Sequence, residues 1–359
     1  MAATTNDTQQ LSRRKRFLFA ATISSVIVLL FLFVSEIVLR HKVGPWRVQS
    51  PATLIIVEPA KPFYRADPSL GYLPMPGTFE VTLPGPYSFT ITHGQNGLRI
   101  THPLETHPRV EEREIWIFGC SFTEGWTVND QDTYPWLLQA QMKNYEVVNF
   151  AVSGYGTLQS LIQFREALKN GKKPAVVVLS YASFHDRRNT LARSWMKTRM
   201  TYGPSVYLSD VKLPFMKWSA NQEPQLHYRP IEYHEVPLAR YSALANTLDE
   251  TLNRIVDTTY HSHEVSKTLI ESFAELCKAN QIQLIVAGIT NDATTTEMLE
   301  YCKSRGMTTV DISVDLNVKA NTNLPYDNHP SALAHQQYAE KLRRPICAGL
   351  IDEPSCDAR

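Results

Sequence analysis

Ser121 follows a short apolar run, Ile115-Trp116-Ile117-Phe118, and stands between Gly119 and Gly125. Four apolar residues closed by a glycine predict a buried strand. A hydroxyl set where a buried strand hands over to a helix is exposed at the sheet's carboxyl edge, where open α/β folds hold their ligands. Ser121 therefore reads as a nucleophile. The competing reading is a serine that only hydrogen-bonds within a tight turn. A serine nucleophile needs a base, a group to orient the base, and donors for the oxyanion. The segment Tyr326-Asp327-Asn328-His329-Pro330-Ser331 supplies two of these. His329 is the candidate base and Asp327 the candidate for holding its imidazole. The same D-x-H pattern also suits a helix-entry loop in which Ser331 or Asp327 caps. Donors are expected from Ser153-Gly154-Tyr155-Gly156, where glycine lets backbone N–H groups approach a bound oxygen.

These segments need a scaffold, and the hydrophobic pattern predicts one. Strands are expected at Ile115–Phe118, Glu146–Val152, Ala175–Leu179, Gln283–Ile289 and Thr308–Ile312. Helices are expected from about Asp132, over Thr157–Leu168, Glu264–Asn280, Thr295–Arg305 and Ser331–Leu342. Strands alternating with helices imply a parallel sheet covered on both faces. The fold class is therefore α/β: a flavodoxin-like three-layer α/β/α sandwich on a parallel five-stranded sheet. Residues 187–261, rich in Tyr, Arg, Trp and Pro, read as an insertion at the sheet's edge or mouth. Upstream, Phe79–Leu83 and Ser88–Thr92 alternate polar with apolar and read as strands of a small β-rich extension.

The amino terminus carries a targeting signal. Arg13, Arg14, Lys15 and Arg16 precede Phe17–Val34, a run without charge. At helical rise that run covers about 27 Å, close to the roughly 30 Å of a bilayer core. Leu29–Phe33 is bulky and no small-residue cleavage site follows, so an uncleaved anchor over 17–39 is expected rather than a removed signal peptide. The basic cluster predicts a cytoplasmic amino terminus in a single-pass inner-membrane protein, with the remainder periplasmic or extracellular. The expected division is a basic tail over 1–16, the anchor 17–39, the extension and linker 40–112, the main domain 113–350 with its insertion, and a tail 351–359.

Lys+Arg 36 against Asp+Glu 35 gives a net charge of +1, which argues against nucleic acid as a partner. Of the five cysteines, Cys347 and Cys356 are spaced to form a clip near the end, and Cys120 is expected to stay unpaired. No C-x-x-C occurs. His261-Ser262-His263-Glu264 lacks further ligands and reads as surface, so no metal is expected. Thr123 stands where a second glycine of G-x-S-x-G would be, which argues against an ordinary α/β-hydrolase.

The segments resemble the blocks of the SGNH, or GDSL-like, hydrolase superfamily. Gly119-Cys120-Ser121 resembles its G-D-S block. Ser153-Gly154-Tyr155-Gly156 resembles the block that supplies a glycine, and Asp327-Asn328-His329-Pro330 the acid–histidine block. The resemblance covers about Glu114–Leu342. Asp67-Pro68-Ser69-Leu70-Gly71-Tyr72 and Asn96-Gly97-Leu98-Arg99 resemble lead-in segments of envelope members. The resemblance implies Ser121 as nucleophile, His329 as base, Asp327 as its orienter, and an oxyanion hole from the Ser121 and Gly154 N–H groups plus an asparagine side chain. The chain departs there: Ser180-Tyr181-Ala182-Ser183 puts Ala182 at the asparagine position. Asn189, His185 and Ser183 are the substitutes nearby, and Asn189 is preferred because its amide is the same kind of donor. The expected function is a serine esterase acting on short acyl esters, such as O-acetyl groups of an envelope glycan, with no cofactor. The alternatives are an O-acyltransferase using the same residues, or a non-catalytic protein that binds an envelope glycan or partner. Oligomeric state is not legible.

Overall fold

The computed structural model describes residues 13–47, 56–85, 87–104, 113–201, 211–220, 222–350 and Cys356. Residues 1–12 of the expected basic tail, residues 105–112 of the linker and most of 351–359 lie outside the described residues. Chain order is α1 (Arg13–Lys42), β1 (Ile56–Glu58), β2 (Tyr64–Asp67), β3 (Gly71–Pro74), β4 (Gly77–Leu83), β5 (Tyr87–His93), β6 (Glu114–Phe118), α2 (Ser121–Glu124), α3 (Tyr134–Gln141), β7 (Glu146–Asn149), α4 (Thr157–Lys169), β8 (Val176–Tyr181), α5 (His185–Asn189), α6 (Arg193–Thr201), β9 (Lys212–Ser219), β10 (Gln222–Pro230), α7 (Ala243–Thr258), α8 (Ser262–Asn280), β11 (Gln283–Gly288), α9 (Ala293–Ser304), β12 (Thr308–Asp311) and α10 (Ala332–Cys347). The chain clusters into two units, one of residues up to 47 with 234–254, the other of the rest.

In the first unit α1 is the one helix, among the described residues, long and apolar enough to cross a membrane. None of its residues is buried. Its carboxyl-terminal part holds the start of α7. Glu36 accepts hydrogen bonds from the Ala243 and Leu244 N–H groups and from Ser242 Oγ, at 3.0, 2.9 and 2.7 Å. A carboxylate at a helix amino terminus satisfies donors that have no partner within the helix and complements the helix dipole.

In the second unit the central sheet has the order β12-β11-β8-β6-β7, with every pair parallel. Numbered by appearance within the sheet this is 5-4-3-1-2, the flavodoxin-like order. The switch point falls between β6 and β8, where such sheets open a crevice at their carboxyl edge. Burial follows the strand's period of two. Ile115 and Ile117 of β6 join Tyr134 and Leu138 of α3 and Tyr338 and Leu342 of α10. Trp116 and Phe118 turn the other way, onto Leu158 and Phe164 of α4 and Leu269 and Phe273 of α8. One strand thus feeds both cores of a three-layer sandwich.

The extension forms the antiparallel sheet β1-β4-β5 and the hairpin β2–β3. Both alternating runs lie in β4 and β5, with Val81, Phe89 and Ile91 buried. The expected helix near Asp132 resolves into a 3-10 turn at Asp130–Asp132 and then α3. Thr133 Oγ1 caps α3 by accepting from Trp136 N–H, and Pro135 sits in the first turn, where its missing N–H costs nothing. The insertion is more regular than its prolines suggested. Pro214, Pro224 and Pro230 all lie within the two-stranded ladder β9–β10, whose register shifts between Gln222 and Gln225. Each strand there has one neighbour, so a proline can turn its missing N–H outward.

Candidate active site

Ser121 opens α2, a single turn set directly against the end of β6. Gly119 makes the approach possible: a Cβ there would lie 2.3 Å from Thr123 Oγ1. Gly125 closes the turn at φ +91°, its N–H bonded to Ser121 O at 2.9 Å. The left-handed region is where glycine carries no Cβ penalty. Ser121 is 6% exposed.

The loop before α10 delivers the other two residues. Ser121 Oγ lies 2.9 Å from His329 Nε2, and His329 Nδ1 lies 2.5 Å from Asp327 Oδ1. The same carboxylate oxygen accepts the His329 backbone N–H at 2.8 Å. Burial works to raise the Asp327 carboxyl, but the hydrogen bonds from His329 outweigh it and hold the group below its ordinary value. Ser331 does cap α10, accepting from Ala334 N–H while donating to Ala320 O. Capping and the Ser–His–Asp chain therefore coexist in one loop. Asn323 ties that loop to the Ser121 turn, its Nδ2 donating to Thr127 Oγ1 at 2.8 Å. The Phe122 ring packs edge-on against His329 and against Phe184, with centroids 5.4 Å apart in both cases.

Gly154 lies in the turn after β7, at φ +85°, with the Tyr155 N–H bonded to Val152 O. Two clamps fix this turn. Glu124 Oε2 accepts from Ser153 N–H at 2.8 Å and from Ser153 Oγ. Tyr72 of β3 donates to Ser153 O at 2.7 Å, and Tyr155 Oη donates back to Tyr72 O. Arg188 Nη1 donates to Tyr155 O at 2.8 Å, and its guanidinium covers the Phe184 and Trp195 rings. Burial pushes the Cys120 thiol up, against the lowering effect of that guanidinium beside it. Ser153 and Tyr72 lie in segments that the sequence pointed to, but the clamps they form were not legible there, and Glu124 was not singled out. Glu124 sits three residues after Ser121, but its partner at Ser153 is set only by β6 and β7 lying side by side.

The position at which the resemblance expects a third donor is apolar: Ala182 is buried in the core with Ile117 and Cys120. Asn189, the expected substitute, is occupied elsewhere. Its Oδ1 accepts from Leu158 N–H and its Nδ2 donates to Ser266 Oγ, both at 2.9 Å. The N-cap of α4 is Gly156, which has no side chain, so Asn189 supplies the missing acceptor; a Cβ on Gly156 would collide with it at 2.5 Å. Ser183 is likewise engaged, its Oγ donating to Asp292. His185 is fully buried with neither ring nitrogen hydrogen-bonded, and burial holds it well below the ordinary imidazole value. No group of three or more His, Cys, Asp or Glu is placed to hold a metal among the described residues. His263 pairs with Asp186 at 2.8 Å, while His261 lies against the Trp218 ring. A cavity of about 620 Å³ opens between the lead-in segments and α4, over Trp116 and Phe150; Ser121, Asp327 and His329 do not line it.

In strand order and layering the chain is the flavodoxin-like α/β/α sandwich that its hydrophobic pattern predicts. No family model and no curated protein matches the chain. Among solved structures it is similar to one titled TesA, at 13% identity and TM-score 0.40, over 66% of this chain and 100% of that one. A member of the lipolytic protein G-D-S-L family from Veillonella parvula matches at 10% identity and TM-score 0.36, over 64% and 95%. The psychrotrophic esterase EstA from Pseudoalteromonas sp. matches at 10% identity and TM-score 0.38, over 66% and 97%.

Proposed function

We propose that the chain is a membrane-anchored serine esterase that cleaves short acyl esters, O-acetyl groups of an envelope glycan being the favoured substrate. One observation carries this reading: Ser121 Oγ, His329 and Asp327 form a continuous hydrogen-bonded chain at the carboxyl edge of the sheet. His329 Nε2 takes the Ser121 proton as Oγ attacks the ester carbonyl, forming a tetrahedral intermediate. The N–H groups of Ser121 and Gly154 stabilise its oxyanion, and the Arg188 charge adds a positive field where Ala182 offers no donor. The protonated imidazole, held by Asp327, passes its proton to the leaving alcohol oxygen as the C–O bond breaks. Water, deprotonated by His329, then attacks the acyl-enzyme, and the acid leaves with Ser121 restored. The near-complete burial of Ser121, beside Phe122, supports a small acyl group. The uncharged run of α1 after Arg13–Arg16 supports an anchor with its amino terminus in the cytoplasm and the esterase outside. The Cys347–Cys356 disulfide suits that oxidising side.

The test is hydrolysis of an acetyl ester by the purified protein and by Ser121→Ala. The expected loss is about 10⁴-fold or more. Equal rates would remove Ser121 from the mechanism.

A further inference from the structure

Helix α7 is inside out. Beyond Ala243 and Ala245 in its first turn, its buried positions are Asn246, Asp249 and Asn253, all polar. Its outward stripe, Leu248, Leu252 and Ile255, is apolar and 56, 40 and 61% exposed. These positions recur at helical spacing, so the stripe is one continuous ridge. A helix folding against a protein core in water has the opposite arrangement, and an exposed apolar ridge calls for something to cover it.

The start of α7 says what covers it. Glu36 and Arg40, in the last turns of α1, hold the α7 amino terminus: Glu36 accepts from Ala243 and Leu244 N–H, and Arg40 donates to Tyr241 O at 2.6 Å. Farther along, Asn246 donates to Gly44 O at 2.9 Å. Glu36 is also the first acidic residue after the uncharged run of α1, so it marks the level at which the anchor leaves the hydrocarbon. The amino terminus of α7 is therefore fastened to the end of α1 that leaves the hydrocarbon. Leu238 and Tyr241, 67 and 73% exposed, lie just before α7. Tyrosine favours the headgroup zone, and Arg254, exposed on α7, can meet lipid phosphates.

We infer that α7 is an interfacial helix whose Leu248–Leu252–Ile255 ridge lies in the acyl–headgroup boundary of the membrane that α1 crosses. The inference rests on reading α1 as an anchor. The bilayer, rather than a protein partner, is the occupant, because α7 starts at the exit end of the anchor and carries its exposed apolar ridge from there.

The test uses the full chain reconstituted in vesicles of phosphatidylethanolamine and phosphatidylglycerol. An environment-sensitive fluorophore is attached to Leu248→Cys or Leu252→Cys, with Leu30→Cys in α1 and Glu300→Cys on α9 as controls; the native free thiols are buried. Lipids brominated near the headgroup end of the acyl chain should quench the probes at 248 and 252 and shift their emission to the blue. Lipids brominated near mid-chain should quench 30, and neither should quench 300. Quenching at 30 with 248 and 252 behaving like 300 would overturn the inference, including where those two are shielded by a protein instead of lipid. No quenching at 30 would remove the anchor reading and the inference with it.

Discussion

Glu124 occupies a buried position between the Ser121 turn and the Gly154 turn. Its Oε2 satisfies the Ser153 N–H, one residue before Gly154, and its Oε1 lies 3.4 Å from His93 Nε2. Glu124→Ala leaves a buried N–H without an acceptor, a cost of about 1–3 kcal/mol. Because the freed turn carries a proposed oxyanion donor, kcat toward an acetyl ester should fall more than KM rises. Unchanged kcat would show that Glu124 serves stability alone. A second prediction concerns pH. Burial, with the Arg99 charge adding to it, pushes His335 down to about 3. Its Nδ1 accepts the Tyr134 N–H at 3.2 Å, which requires the neutral ring. An unfolded chain takes up this proton near about pH 6.5, so below that the unfolded state binds more protons. This contribution is present in full above about 6.5 and drains as pH falls toward 3, at up to about 1.4 kcal/mol per pH unit. His335→Asn keeps the acceptor and removes the titration, so chemical denaturation between pH 7 and 4 should show a shallower loss for the variant. At this scale the meeting of Ser121, Asp327 and His329 was legible because each sits beside its own punctuation, a glycine or a helix entry. Asn189 misled because an amide announces a donor but not where it is used; a side-chain-free N-cap on another helix claimed it.

The β-rich extension is bound into the site as a structural element. Arg99, in the segment after β5, is 2% exposed. It donates to Asp130 Oδ1, to the carbonyls of Glu124 and Gly125, and to those of Thr90 and Val128. One guanidinium thus joins β5 to the Ser121 turn, while Tyr72 joins β3 to the Gly154 turn. Arg99→Lys cannot reproduce that fork and should cost about 3–5 kcal/mol, read as a lower denaturant midpoint. Tyr72→Phe should cost about 1 kcal/mol and slow ester turnover more than it weakens binding. The strands of the extension were legible from alternation, but their attachment was not, because each contact spans distant segments. Helix α7 was missed for a related reason: its apolar stripe sits within a proline-rich stretch and faces away from any protein core.

At the scale of the molecule, sheet order was the most legible feature. Five buried strands alternating with helices leave few topologies once crossovers are right-handed, and the chain has the expected one. The cysteines add something different. They divide into the bonded pair Cys347–Cys356 and the buried thiols Cys120, Cys277 and Cys302. That division makes the chain its own recorder of the compartment in which it matured. Protein taken directly from cells into denaturant and an alkylating reagent, without reductant, should gain three mass tags. The same chain begun at residue 48 and retained in the cytoplasm should gain five, one for every cysteine in the sequence. Five tags on the anchored chain would mean that its folded part never left the reducing side.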